Sequence, residues 1–462
     1  MTLHDVMMNI YSMKLSDFIP LSAIQTEEDK TSQKSGYVIQ FTEDEWKAKY
    51  PNVPADNIFY APFLASSTMV YYNAESCAWV NLPIYTNEDG RKNPYEEPDY
   101  VSKALQTAED AAKKGEWGQL IYNMPNAIQM VVLNKLMDRA KDEKEKEKIY
   151  GLFKCFYPLI NFFTWMLPKD FAPKFMAAKS EAQKEETRKA LEHIKGDTVV
   201  VYRGAVDKSA RPENALSWSE DINIAYLFAL KAGKCPEIYM GEVNKKDVLE
   251  YFEGREKEVT VIPGSVTVKE VKKLYSFDTP EVEEAVKKVT PVFFKARAEL
   301  AKLYDEKDKK MGKNKGHDRE HSLRVLAFSL ILGQMEGLSS TQLRKLALAA
   351  TYHDIGRCDD SSDCSHGEHS AKIYKAKKKF RADSSVAFLI RCHCIPDSEA
   401  QAIAPSELDK KLLWILKDAD ALDRFRFGWV GCGDDTLDVT QLRFESSKLF
   451  VDLAHHLQRF DF

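Results

Sequence analysis

The chain has 462 residues and carries 66 Lys and Arg against 71 Asp and Glu, which gives a formal charge of −5. At roughly 150 residues per domain this length predicts about three domains, and the balanced charge excludes a global electrostatic bias towards nucleic acid or membrane. The eight cysteines form no CxxC pair and the N-terminus lacks the layout of a signal peptide, so we expect a reducing, cytoplasmic setting.

Residues 1–96 are predicted to form an N-terminal α+β domain whose role the sequence does not reveal. Short strand-like runs alternate here with turns. The segment 86–99 is polar and rich in turn residues, which is typical of a linker. The predicted strands are VIQF (38–41), MVYYNA (69–74) and AWVNLPIY (78–85).

Residues 97–278 are predicted to form a mixed α+β middle domain, with helices to about residue 195 and strands from there on. The apolar stretch 150–167 is nearly long enough to cross a bilayer. It contains Lys154 and Pro158, however, and charged segments flank it on both sides. We therefore predict a buried helix pair and no stable membrane insertion.

Residues 279–462 have helical periodicity throughout and are predicted to form an all-α domain, so the predicted fold class is multidomain α+β. Histidines and aspartates recur in this region beside apolar helical runs, from which they can point into a bundle interior. The candidate metal ligands, in chain order, are His321, His353, Asp354, His366, His393 and Asp420.

Mixed imidazole and carboxylate ligands suit a divalent metal, and ligand type alone does not distinguish Mn, Fe, Mg, Co and Ni. Such a metal polarises a phosphate ester and lowers the pKa of water. We expect one metal on His321, His353, Asp354 and Asp420. His366 and His393 then hold either a second metal or the scissile phosphate. His317 and His369 lie one helical turn from candidate ligands and are predicted not to bind metal.

This order resembles the HD superfamily of metal-dependent phosphohydrolases, over HDREHSLRV, HDIGRCDDSSDCSHGEHSA, His393 and KDADALDRFRFG. The resemblance implies a phosphate-containing substrate and the ligand roles given above, with Asp354 as a catalytic residue. Arg324 and Arg424 are candidate phosphate contacts, because a guanidinium fork matches phosphate geometry. The resemblance does not give the substrate.

A second polar set lies in the strand-rich part of the middle domain. Arg203 ends the strand-like VVVYRG, Ser217 and Ser219 flank Trp218 in SWS, and Glu256 and Glu258 lie in GREKEVTVI. An arginine at a strand end can bind a pyrophosphate, and a glutamate can bind a ribose hydroxyl and stabilise an oxocarbenium ion. A second glutamate two positions earlier on an extended segment points the same way and could activate a nucleophile.

The set resembles the arginine–serine–glutamate class of ADP-ribosyltransferases found among binary toxins and ecto-enzymes. The resemblance implies NAD as cofactor, with Arg203, Ser217, Ser219 and Glu258 binding it. Glu258 would be the catalytic glutamate, Ser217 would organise the site, and Glu256 would favour transfer to arginine. Trp218 departs from the class, in which a threonine is usual.

Together the resemblances predict a bifunctional enzyme that ADP-ribosylates a protein or nucleic acid and hydrolyses a phosphoester or pyrophosphate bond. The two reactions could act in sequence, or separately in a bacterial effector or defence protein that acts in, or is delivered to, the cytoplasm. The alternative is an HD nucleotide phosphohydrolase or sensor whose middle domain is an NAD glycohydrolase or a binding module.

Overall fold

The fold is taken from a computed structural model, which describes residues 18–32, 41–60, 69–82, 94, 97–159, 167–207, 209–230, 234–311, 317–357, 365–427 and 436–458. It contains both helices and strands, as the predicted α+β class requires, and its C-terminal part is helical.

The N-terminal strands form an antiparallel sheet of order β1-β2-β3-β4. The predicted strand at 69–74 is confirmed over 69–73, with residue 74 in a turn, and the one at 78–85 is confirmed over 78–82. Of the predicted strand 38–41, residues 38–40 lie outside the described residues, as do residues 83–85. The elements are β1 Ile19–Pro20, α1 Glu27–Ser32, α2 Glu43–Lys49, β2 Ile58–Tyr60, β3 Met69–Asn73 and β4 Ala78–Leu82.

A helical region follows and packs against this sheet. The Tyr71 hydroxyl and the Asn73 amide both donate to the Glu109 carboxylate, at 2.7 and 2.8 Å. One hydrophobic cluster runs through the sheet and the helices, so the domain boundary at residue 96 stays a prediction. The helices are α3 Pro98–Lys113, α4 Trp117–Tyr122, α5 Asn126–Arg139, α6 Glu143–Phe156, α7 Phe171–Ala177 and α8 Glu181–Ala190.

The apolar stretch 150–167 begins inside α6, where Tyr150 and Phe153 are fully buried in that cluster. Residues 160–166 lie outside the described residues. Within the described part of the chain, no helix has the length and apolar character needed to span a membrane.

A six-stranded sheet of order β10-β7-β5-β6-β9-β8 forms the strand-rich region, and all its paired strands are antiparallel. This order places β5, β6 and β9 side by side, although they come from distant parts of the sequence. The elements are β5 Thr198–Ala205, β6 Ser217–Ser219, α9 Ile222–Ala229, β7 Glu237–Asn244, β8 Val248–Phe252, β9 Glu258–Val261 and β10 Thr267–Lys273.

A buried polar network joins the helices to β8. The Glu250 carboxylate accepts from the Tyr150 hydroxyl at 3.0 Å and from the Thr187 hydroxyl at 2.9 Å. The Lys179 ammonium donates to the Leu249 carbonyl at 2.8 Å and to Thr187, and burial lowers its pKa to about 8. Glu250, and to a smaller extent Glu186, oppose this effect and favour the charged ammonium.

We expect Glu250→Ala to lower the free energy of unfolding by about 1.5–3 kcal/mol, because its buried carboxylate accepts hydrogen bonds from Tyr150 and Thr187, and hydrogen bonds to charged groups contribute on that scale. Chemical denaturation of the full-length protein measures the change. Glu253→Ala is the matched control, since Glu253 is exposed just beyond β8. Equal denaturation midpoints for the two variants would contradict a stabilising role for the network.

The C-terminal helices form a bundle in which α11 contacts α10, α12 and α16, and α14 contacts α12, α13 and α16. The helices are α10 Pro280–Met311, α11 Arg319–Met335, α12 Ser340–Tyr352, α13 His366–Lys378, α14 Ser384–Cys392, α15 Asp397–Ala402, α16 Glu407–Leu422, α17 Glu445–Leu449 and α18 Val451–Leu457.

The strand-rich region packs directly against this bundle. Asn223 in α9 donates from its amide nitrogen to the Asp438 carboxylate at 3.0 Å, and its oxygen accepts from the Val439 backbone N–H at 2.8 Å. Tyr226 and Leu274 belong to the same hydrophobic cluster as the bundle core. The boundary at residues 278/279 therefore also stays a prediction.

Candidate functional sites

The candidate metal ligands lie at helix ends that meet in the bundle. His321 is in the first turn of α11, where its backbone N–H donates to the capping Asp318 carboxylate at 2.9 Å. His353 directly follows α12, His393 directly follows α14, and His366 is the first residue of α13. Asp420 lies in the last turn of α16.

The Asp354 carboxylate lies at the centre of this cluster and faces two groups of donors. Its Oδ2 is 3.4 Å from His321 Nε2 and 3.8 Å from His353 Nε2. Its Oδ1 is 3.3 Å from His366 Nε2 and 3.4 Å from His393 Nε2. Asp420 completes the first group, with Oδ1 3.4 Å from His321 Nε2. The structure thus brings together all the metal-ligand candidates that the sequence pointed to.

The donor spacing fits divalent metals. The Nε2 atoms of His321 and His353 are 3.2 Å apart, and those of His366 and His393 are 3.1 Å apart. Metal–nitrogen bonds of about 2.1 Å place neighbouring ligand atoms about 3.0 Å apart in octahedral and about 3.4 Å apart in tetrahedral geometry. Each pair therefore has the separation of two ligands on one ion, with Asp354 between the two positions.

The Nδ1 atoms of three of these histidines are held by acceptors. His353 Nδ1 lies 2.8 Å from the Ala350 carbonyl, and His393 Nδ1 lies 2.7 Å from the Ile390 carbonyl. Carbonyls in the last helical turn have no partner within the helix, so they accept from these rings. His321 Nδ1 lies 2.7 Å from Asp423 Oδ2. A proton on Nδ1 leaves the Nε2 lone pair free to bind a metal.

Electrostatics keeps His353 and the two aspartates in the ligating state. Burial lowers the pKa of His321 and His393, but hydrogen bonds to Asp354 outweigh it and raise the pKa of both rings. Burial lowers the pKa of His353 to about 4, helped by the neighbouring His393 and His321. Burial would raise the pKa of both aspartates, but the nearby histidines outweigh it. They hold the pKa of Asp354 well below its usual range and that of Asp420 at about 2. At neutral pH the carboxylates are ionised and His353 is neutral, as metal binding requires.

The two arginines proposed as phosphate contacts are placed differently from expectation. Arg324 donates from Nε to Asp423 Oδ1 at 2.6 Å in a buried ion pair, and Arg424 is exposed. Arg426 lies near the candidate metal ligands and also pairs with Asp423, with Nη1 3.3 Å from Oδ2. Burial lowers its pKa, and Asp423, Asp420 and Asp354 oppose this effect. Arg426 Nη2 contacts His317 Nε2 at 3.1 Å. His369 is exposed, consistent with its exclusion from the ligand set.

Asp423 is a residue that the sequence reading missed, although it follows Asp420 by one helical turn. It is fully buried, orients His321 and pairs with Arg324. We expect Asp423→Asn to weaken metal affinity by about 10–100-fold, because outer partners of ligating histidines contribute on that scale. Metal titration of the metal-free protein measures the effect.

The matched control for this prediction is Asp418→Asn. Asp418 is also a fully buried aspartate on α16, and it pairs with Arg443 at 2.8 Å. Its loss should lower stability without changing metal affinity. If both variants weakened metal binding equally, Asp423 would be acting through the fold and not through His321.

The middle region brings its three principal candidates onto adjacent strands. Arg203 on β5 donates from Nη1 to the Ser217 carbonyl on β6 at 2.6 Å. The Ser217 hydroxyl donates to Glu258 Oε1 on β9 at 2.5 Å. These residues are separated by 14 and 41 positions in the chain. Their convergence is a consequence of the strand order β5-β6-β9.

Glu258 lies in a site closed on one side by aromatic rings. The Tyr157 hydroxyl donates to Glu258 Oε1 at 3.0 Å, and the Tyr157 ring stacks on Phe252 with centroids 5.4 Å apart. Burial raises the pKa of Glu258 to about 7, against the hydrogen bonds from Ser217 and Tyr157. The carboxyl group therefore titrates near neutral pH.

Ser219 and Glu256 have local contacts that the sequence did not predict, and their NAD-binding and nucleophile-activating roles stay predictions. The Ser219 hydroxyl donates to the Glu256 carbonyl at 2.7 Å and accepts from the Asp221 backbone N–H at 2.9 Å, so it holds the loop before β9. Glu256 lies in a turn, and Lys257 has a positive φ of 41°. The prediction of an extended segment at Glu256 is therefore wrong, although Glu256 lies close enough to Glu258 to add to the effect of burial in raising its pKa.

Among the comparisons with known proteins, one family model matches part of this chain. No curated protein and no solved structure shows a significant match to this chain. Residues 319–424 match the family model of the HD domain, and this range includes every metal-ligand candidate. The match and the two donor groups support a hydrolase that binds divalent metal and acts on a phosphate-containing substrate.

Proposed function

We propose that the C-terminal bundle hydrolyses a phosphoester or pyrophosphate bond at a site that holds two divalent metals. The observation that carries the proposal is the position of Asp354, whose two carboxylate oxygens each face their own pair of histidine Nε2 atoms. This arrangement fits a carboxylate that bridges two ions, as in two-metal sites that act on phosphates.

Residues of the bundle have specific roles in this proposed reaction. When bound, divalent metals supply Lewis acidity towards the phosphoryl oxygens and activate water. The Asp420 side chain is 33% exposed while His321 and Asp354 are buried, so substrate approaches from the Asp420 side. Arg426, held by Asp423 and His317, places positive charge near Asp420. Hydrolysis breaks one P–O bond, forms another to the water oxygen, and transfers a water proton to the leaving group.

The sequence resemblance and the geometry also favour a second activity in the strand-rich region, which is transfer of ADP-ribose from NAD. The supporting observation is the contact of Arg203 with Ser217 and of Ser217 with Glu258 across adjacent strands. In this proposal Arg203 binds the pyrophosphate and the Glu258 carboxylate stabilises the ribosyl cation as the bond to nicotinamide breaks. Arginine is the favoured acceptor, and hydrolysis of NAD by water is the alternative.

The two activities would be linked if the bundle cleaves the pyrophosphate of the transferred ADP-ribose. Mass spectrometry of full-length protein incubated with NAD, divalent metal and candidate acceptors tests both proposals. Released nicotinamide supports the transferase, and AMP released together with a phosphoribosylated acceptor supports linkage. An ADP-ribosylated product that accumulates while AMP never appears would exclude the linked scheme.

Variants separate the linked scheme from two independent activities. In the linked scheme Glu258→Ala removes the substrate of the bundle, so AMP release from NAD stops along with nicotinamide release. Asp354→Ala should leave nicotinamide release intact and block AMP release alone. If the bundle instead acts on a free nucleotide, its hydrolysis of that nucleotide will not change in Glu258→Ala. The alternative of a nucleotide sensor predicts no turnover of NAD and no metal in the purified protein.

A further inference from the structure

The Cys394 thiol is a potential metal ligand that was not among the six candidates. The Cys394 thiol forms a cluster with His366 and His393 in which the potential ligand atoms all lie within 4.8 Å of one another. Cys394 is half-buried and follows His393 directly at the end of α14. Cys392, two residues earlier, is fully buried among hydrophobic side chains of the bundle core.

The start of α13 is shaped around this thiol. A Cβ added at Gly367 would lie 2.8 Å from Cys394 Sγ and 2.6 Å from the Arg391 carbonyl, so a side chain there would collide with both. Glycine at this position lets the helix end that carries His366 approach the chain turn that carries His393 and Cys394. The thiol is therefore packed against the same helix end that supplies an imidazole ligand.

We propose that Cys394 is a thiolate ligand of the metal held by His366, His393 and Asp354 Oδ1. This inference rests on the proposed two-metal site and specifies its second position. The first position has two imidazoles and two carboxylates, from His321, His353, Asp354 and Asp420. The second has two imidazoles, one carboxylate oxygen and one sulfur.

The sulfur ligand at the second position affects which metal ion that position prefers. Thiolates select zinc, Fe(II) and Co(II) over the hard ions Mg²⁺ and Mn²⁺, which prefer oxygen ligands. Metal–sulfur bonds of about 2.3 Å and metal–nitrogen bonds of about 2.1 Å give an N···S distance of about 3.6 Å in a tetrahedral site. The potential ligand atoms of His366, His393 and Cys394 lie within 4.8 Å of one another, so an ion bound between them would draw them together by about 1 Å or less. We therefore expect the second position to bind a thiophilic ion.

The test is to load metal-free full-length protein with Co²⁺ and record the thiolate-to-cobalt charge-transfer absorption and the metal-to-protein ratio. We expect wild type to bind two ions and show the band, and excess Mg²⁺ not to displace the ion that gives it. Cys394→Ser should lose the band and bind its second ion about tenfold more weakly or worse, since even outer partners contribute about 10–100-fold. Cys392→Ala, the matched control, should keep both ions and the band.

The outcomes separate this inference from the proposed function. Wild type that binds no metal would overturn the metal-dependent function and the thiolate ligand with it. Wild type that binds two ions without the band would overturn the thiolate ligand alone, and this readout does not depend on any variant folding. A band that persists in Cys394→Ser would also overturn it.

Discussion

Replacing Asp354 with alanine should lower metal-dependent phosphoester hydrolysis by about 10³-fold or more and deplete both metal positions. Each Asp354 oxygen faces a different histidine pair, at 3.3–3.8 Å, so one substitution removes a ligand from two ions. Loss of metal-assisted charge stabilisation costs several kcal/mol, and about 4 kcal/mol corresponds to about 10³ in rate. Hydrolysis of a chromogenic phosphodiester and the metal content of the same sample measure the two effects.

The histidines of α13 supply the control for this prediction. His366 contacts Asp354 Oδ1, whereas His369, one turn later, is exposed. His366→Ala should lose metal from the second position and most of the activity, and His369→Ala should match wild type. Full activity and metal content in Asp354→Ala would contradict the bridging role. Equal losses in the two histidine variants would show that the α13 substitutions act on folding.

The sequence predicted the clustering of the candidate metal ligands better than the contacts of the groups that surround them. His321, His353, Asp354, His366, His393 and Asp420 could be identified because each accompanies a helical apolar run and their order resembles a known family. The ion pair of Arg324 could not be predicted, because its partner Asp423 lies 99 residues away in the sequence. Residue type suggested a phosphate contact for this arginine, but only the packing of α16 against α11 shows that it forms a buried ion pair.

In the strand-rich site, too, the contacts between residues far apart in the chain could not be predicted from the sequence. Arg203, Ser217 and Glu258 could be selected from their order along predicted strands, but their contacts depend on the strand order of the sheet. Tyr157 carries no sequence signal for this site because it lies 101 residues from Glu258. Glu256 was assigned to an extended segment from its spacing alone. The left-handed backbone of Lys257 forms a turn there, and nothing in the spacing of two glutamates reveals it.

Glu258→Gln should lower nicotinamide release from NAD by about 10²–10³-fold while leaving phosphoester hydrolysis by the bundle unchanged. Glutamine keeps the size of the side chain and can still accept from the Ser217 hydroxyl. It removes the negative charge that would stabilise the developing ribosyl cation, and removal of one such stabilising group costs about that much. Glu253→Gln is the control, since Glu253 is exposed in the loop before β9.

The pH dependence of nicotinamide release tests whether Glu258 acts as a carboxylate. Its pKa is raised to about 7, chiefly by burial, so the active ionised form increases as pH rises through 7 and activity should rise with it. Tyr157→Phe removes a hydrogen bond that favours the ionised form and should move the midpoint to higher pH. A pH profile that stays flat between about 6 and 8, or a midpoint that moves lower in Tyr157→Phe, would contradict a catalytic Glu258 carboxylate.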